Sequence, residues 1–136
     1  MGHLDFLFLG YTGRIGRTTY WTSYIALCVV QVIAIWGLLQ LSHGTLLQLG
    51  DYAAHREDLP FEVAQALWTH VVLPVGIVSL LFQWPQYAIA AKRWHDRGKS
   101  GWWSLIAFVP IIGGLWALIE LGFLPGEEGV NAYGYR

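Results

Sequence analysis

Three long stretches of this chain carry no formal charge. No Asp, Glu, Lys or Arg occurs from Thr18 to Gly50, from Val63 to Ala91, or from Ser100 to Ile119. Each stretch can hold the roughly 20 apolar residues that a helix needs to cross a bilayer. A soluble helical bundle would need a polar stripe along every helix, and these runs have none. Composition agrees: 55% of residues are hydrophobic and 12% charged, against about a quarter charged in an ordinary soluble domain. The expectation is an all-α, multi-pass membrane protein forming a single integral membrane domain over 1–136. It has three transmembrane helices, at about 20–41, 64–90 and 102–121, and a short interfacial N-terminal segment.

The leader up to Gly13 is aromatic and apolar but too short to span, which predicts that it lies in the membrane interface. The first apolar run is too long for the apolar core of a cleaved signal peptide and reads as an anchor that stays. Between the first two expected spans lies the most polar segment, 42–62, expected as a loop. Asp58, Pro60 and Glu62 resemble a helix start, with a cap, an early proline and an acid in the first turn. The second run has 29 residues, about 43 Å as a straight helix, longer than the ~30 Å hydrocarbon core. Pro74 and Pro85 are where it would bend. Pro110 and the pair Gly113-Gly114 interrupt the third run.

Between the second and third runs stands the densest stretch of chemistry in the chain: Lys92, Arg93, Trp94, His95, Asp96, Arg97, Gly98, Lys99, Ser100, Gly101, Trp102 and Trp103. Cations flanked by tryptophans mark an interfacial loop on the side of the bilayer that retains positive charge. With three spans, the leader and this loop share one side. They hold Arg14, Arg17, Lys92, Arg93, Arg97 and Lys99, against Arg56 and Arg136 on the other. Six against two predicts the N-terminus and loop 92–101 in the cytoplasm, and the C-terminus outside with loop 42–62. Most acids, including Glu120, Glu127 and Glu128, then fall outside.

These residues resemble the domain of unknown function 805 family, YhaH-like small bacterial inner-membrane proteins. The resemblance is carried by Gly13-Arg14-Ile15-Gly16-Arg17 before Tyr20-Trp21, and by the run from Arg93 to Trp103, where the family has Leu in place of Trp94. Pro110 with Gly113, and the tail from Pro125 to Gly134, carry it further. Both ends and the second half of the chain are covered; 42–69 is not. The resemblance implies a multi-span protein of the bacterial inner (plasma) membrane and brings no established activity.

His95-Asp96 invites a catalytic reading, since a histidine with a carboxylate can shuttle protons. Adjacent side chains rarely face each other, and no nucleophile lies nearby in sequence, so no enzyme activity is expected. Gly98-Lys99-Ser100 lacks the earlier glycine and the preceding strand of a phosphate-binding loop. The five histidines show no metal-ligand spacing, and neither metal nor cofactor is expected. What remains is a cytoplasmic surface of Arg14, Arg17, Arg93, His95, Asp96, Arg97, Lys99, Trp102 and Trp103. Its expected partners are the lipid bilayer with its anionic phospholipid headgroups, a protein, or a second copy of the chain in a homo-oligomer; nucleic acid has no support. The function expected is a non-enzymatic membrane scaffold or accessory subunit. The alternative is a component of a small oligomeric transporter or channel. A transporter calls for ionisable groups deep in its spans, where this chain has Gln31, Gln83 and His70. Asp96, the one acid of the central loop, is expected to pair with Arg93 or with an arginine of the leader.

Overall fold

The computed structural model describes residues 3–55 and 58–135. Arg56 and Arg136, the two cations assigned to the far side, lie outside the described residues. The protein is all-α: α1 (His3–Phe8), α2 (Arg17–Leu41), α3 (His43–His55) and α4 (Phe61–Leu67). A π-helical turn (Trp68–Val72) then leads into α5 (Leu73–Asp96), followed by a 3₁₀ helix (Gly101–Phe108), α6 (Ile112–Ala117) and a second π-helical turn (Leu118–Phe123). Two helices are long and apolar enough to cross a membrane: α2, with 25 residues, and the continuous rod Phe61–Asp96, with 36. Their most apolar stretches contain no buried residue. A core helix of a soluble protein would bury that surface, so this is an all-α membrane protein.

The chain forms two compact units. The unit of residues 28–82 contains most of α2, α3, α4 and the first part of α5. The polar segment expected as a loop is largely helical here, as α3. Asp58 does not cap α4: Pro60 occupies the cap position, and no side chain bonds there. The freed Val63 N–H turns onto the Pro60 carbonyl at 3.1 Å. Pro74 has no N–H to offer the His70 carbonyl four residues back. The hydroxyl of Ser42 donates to that carbonyl at 2.5 Å instead, beside the π-helical turn that loosens the rod.

The other unit comprises residues up to Leu27 and from Gln83 onward. Its core is Leu7, Ile15, Tyr20, Ile89, Trp94 and Leu121. The third apolar run belongs to this unit, and it differs from the single span expected over about 102–121. It is a hairpin. The 3₁₀ arm of eight residues is about 16 Å long, and the returning arm 112–123 is about 18 Å. The bend is a tight γ-turn: Ile112 N–H donates to the Pro110 carbonyl at 2.7 Å, with Ile111 at φ 64°, ψ −65°. That conformation is rare and strained for a β-branched residue. Gly113 makes the return possible, because any Cβ there would overlap the Ile106 carbonyl of the outgoing arm. Lys99, just before the hairpin, and Glu120, near its end, are 2.6 Å apart. The two ends of the third run therefore meet.

Candidate functional site

Beyond Ala91 the second rod leaves its apolar run, and its last turn enters a charged cluster. Asp96 accepts from Arg14 through Nε at 3.2 Å and Nη2 at 3.1 Å, and from Arg93 Nη1 through its other oxygen. All three side chains are fully buried in these pairs. The expected partner of Asp96 was Arg93 or a leader arginine; it holds both. One carboxylate cannot balance two guanidiniums, and backbone carbonyls supply the rest. Arg14 donates to Glu127 O at 2.5 Å, Gly129 O at 2.6 Å and Gly134 O at 3.1 Å. Arg93 donates to Leu121 O at 2.8 Å and Leu124 O at 2.5 Å.

The carbonyls that Arg93 takes lie at a helix end, whereas those of Arg14 belong to the tail. A helix leaves its last four C=O groups without internal partners and carries partial negative charge there. At the end of the returning arm, Leu121 and Leu124 are taken by Arg93. Gly122 O accepts from Trp21 Nε1 at 3.1 Å, and Phe123 O from Arg17 at 3.1 Å. Arg97 reaches Pro125 O. The leader receives the same treatment: fully buried Lys92 donates to Leu7 O at 2.9 Å and to Gly10 O. Burial lowers the Lys92 pKa to about 8.

The end of α5 is closed in turn by the tail. Gly98, at φ 68°, lets its own N–H reach His95 O at 3.0 Å and that of Lys99 reach Trp94 O at 2.9 Å. This is the paired closure that a glycine just past a helix makes possible. Glu127 N–H then donates to Asp96 O at 2.7 Å, and Asn131 Nδ2 to His95 O at 2.9 Å. Gly126 lies against the Asp96 carboxylate so closely that a Cβ would overlap it. The His95 ring stacks on Tyr133, centroids 3.9 Å apart and planes 5° from parallel. Its Nδ1 faces the Gly13 carbonyl at 3.2 Å. Burial pushes the His95 pKa down, against that hydrogen bond and with the nearby charge of Lys92.

The nine residues of the expected binding surface thus separate. Arg14, Arg93, His95 and Asp96 are buried in the fold. Arg97 and Lys99 stay partly exposed and share Glu120, at 3.1 and 2.6 Å. Arg17 is exposed, and Trp102 is 78% exposed. Trp103, less exposed, flanks Lys99, whose ammonium lies over the rings of Trp94 and Trp103 at 5.4 and 5.5 Å. Sequence reasoning missed Lys92, Glu120, Gly126 and Asn131 as partners of this cluster. The tail motif from Pro125 to Gly134 was the available signal. Its work is backbone capping, which residue chemistry alone does not announce. Among the described residues no group of three metal-ligating side chains occurs.

No solved structure matches this chain. It is 30% identical over 129 residues to "Inner membrane protein YhaI" of Escherichia coli (strain K12), covering 93% of this chain and 85% of that protein. It is also 28% identical over 127 residues to "Inner membrane protein YhaH" of the same strain, covering 93% and 86%. The model of a family described as "Protein of unknown function (DUF805)" matches residues 8–135, which takes in the whole cluster of Arg14, Arg93, Asp96 and the tail, and the chain belongs to that family.

Proposed function

We propose that this chain is a non-enzymatic module of the bacterial inner membrane that crosses the bilayer twice. Leader, hairpin and tail then form one cap on the cytoplasmic side. The observation that carries this reading is the Lys99–Glu120 pair. A segment whose two ends touch has not changed sides, and arms of about 16 to 18 Å reach only mid-depth in a ~30 Å core. The C-terminus accordingly lies with the leader, where three spans would put it outside. The cytoplasmic assignment follows the cations, six of which sit in this cap. Its working surface is the rim that the buried cluster leaves open. Arg17 and Lys99 beside Trp102 and Trp103 suit anionic headgroups, with the cations at phosphate depth and the indoles at the hydrocarbon boundary.

The test introduces single cysteines at Ser42, Ser100 and Ala132 in a Cys28→Ser background, with an impermeant thiol reagent on intact cells. Position 42 should label, and positions 100 and 132 only after lysis; labelling of 132 together with 42 would restore three crossings. Native mass spectrometry of mixed-lipid nanodiscs reads the rim. Arg17→Gln with Lys99→Gln should lower phosphatidylglycerol enrichment about fivefold per charge, from about 1 kcal/mol for each cation near the surface. Unchanged enrichment rejects the headgroup reading.

A further inference from the structure

The cap also holds a cavity of about 470 Å³ that none of its cations lines. Its walls include Tyr11, Tyr87, His95, Gly101, Trp102 and Ser104. Tyr11 comes from the leader, Tyr87 and His95 from α5, and the others from the start of the hairpin. Three aromatic side chains therefore surround a space that opens where the second rod leaves its apolar run. On the topology proposed above, that place lies at the edge of the bilayer, within reach of a molecule dissolved in it.

Two polar groups of the wall lack partners. The Ser104 hydroxyl is buried and makes no hydrogen bond among the described residues. That is unusual in a helical segment, where a serine ordinarily bonds a carbonyl three or four residues back. An orphaned buried hydroxyl has lost its water without a replacement, which is unfavourable. His95 supplies the second group. Its Nδ1 faces a carbonyl, which places the ring proton on Nδ1 and leaves Nε2 as an acceptor. Nε2 lies toward Gly101, where an added Cβ would come within 3.3 Å of it. Besides the Tyr11, Tyr87 and Ser100 hydroxyls, the wall thus offers the buried Ser104 hydroxyl, able to donate, and the His95 acceptor nitrogen, with no formal charge. An anionic headgroup finds no cation here. A neutral molecule that carries both a hydroxyl and an oxygen acceptor finds both partners.

We propose that this cavity binds the hydroxylated ring of a lipid-soluble quinol. The ring packs among Tyr11, Tyr87 and Trp102, one hydroxyl donates to His95 Nε2, and the Ser104 hydroxyl donates to a ring oxygen. The same neutral hydroxyl chemistry occurs in diacylglycerol, which has no ring for the aromatic walls to hold. The site is independent of the rim residues Arg17 and Lys99.

The experiment titrates the full chain, in phosphatidylcholine nanodiscs, with a one-isoprene benzoquinol kept reduced, and in a second arm with dioctanoylglycerol. The quinol should bind saturably. Ser104→Ala should weaken it roughly three- to tenfold, the loss of one neutral hydrogen bond. Its thermal stability should stay unchanged or rise, since an unpaired hydroxyl is gone. Trp102→Ala, at an exposed position, should weaken the quinol as well. Arg17→Gln with Lys99→Gln should leave it unaltered. Absence of saturable quinol binding overturns the proposal, as does binding indifferent to both Ser104→Ala and Trp102→Ala. Binding of dioctanoylglycerol in preference to the quinol also overturns it, in favour of a glyceride site.

Discussion

Two acid–base pairs, one in each compact unit, show how little a residue pair says by itself. Asp51 and His55 sit four residues apart on α3, 3.4 Å from each other, with side chains 78% and 64% exposed. Arg14 and Asp96 come from opposite parts of the chain and meet at 3.1 Å with no exposure at all. The α3 pair is bathed in water and contributes little. The Arg14–Asp96 pair is isolated from water together with Arg93, so each member depends on the others for its solvation. In the cap, charge is buried beside the hydrophobic core. In the 28–82 unit it is surface.

The sharpest way to break this contrast is to neutralise the two acids in turn. Asp96→Asn leaves two buried guanidiniums without a counter-charge and should cost about 3–5 kcal/mol. That should show as a large loss of folded yield and of melting temperature in mild detergent. Asp51→Asn should be within error of the parent. Equal stabilities for the two variants would mean that the buried cluster is ornamental.

A smaller effect separates the same regions through their glycines. Gly126→Ala drives a methyl group into the Asp96 carboxylate and should cost about 1–3 kcal/mol, as overpacking does. Gly37→Ala and Gly76→Ala, on α2 and α5 within the 28–82 unit, meet nothing within 4 Å. They should be neutral, or stabilising by up to about 1 kcal/mol. Denaturation of the three variants in one detergent checks this, and a tolerated Gly126→Ala would show that the tail is not clamped on the acid.

The smallest effect is one of pH. His95 has its pKa lowered by burial, so the folded cap holds it neutral while the unfolded chain takes up a proton near 6.5. The unfolded state then binds more protons in the window just below 6.5, and stability falls as the pH drops through it. Melting curves between pH 7.5 and 5 should show the decline, and His95→Gln should flatten it. A decline that persists in that variant would assign the acid sensitivity elsewhere.

Both long crossing helices were legible in the sequence, because a charge-free run of that length has few other fates. The fate of the third run was not. Hydropathy reports how much surface prefers lipid, and it is silent on whether the backbone turns midway. Pro110 and Gly113 were visible as interruptions. Only the approach of Gly113 to the Ile106 carbonyl shows that they make a bend. The same gap hid the role of the cations. Counting Lys and Arg assigned them to a surface, whereas Lys92 and Arg93 spend donors on carbonyls at helix ends and Arg14 on carbonyls of the tail. Glu120 was grouped with distant acids, because its partners Arg97 and Lys99 lie across the hairpin.

The sequence separations in the cap have a temporal meaning. Arg14 lies 82 residues from Asp96, and 113, 115 and 120 residues from the carbonyls of Glu127, Gly129 and Gly134. During synthesis Arg14 precedes all of these partners: Asp96 follows first, and the three tail carbonyls only after residue 126. Such long loops close late and slowly. The two crossing helices can therefore enter the membrane before the cap exists, and the cap assembles as the final step. A chain halted before residue 127 would carry its apolar helices intact while leaving most of the Arg14 donors unfilled.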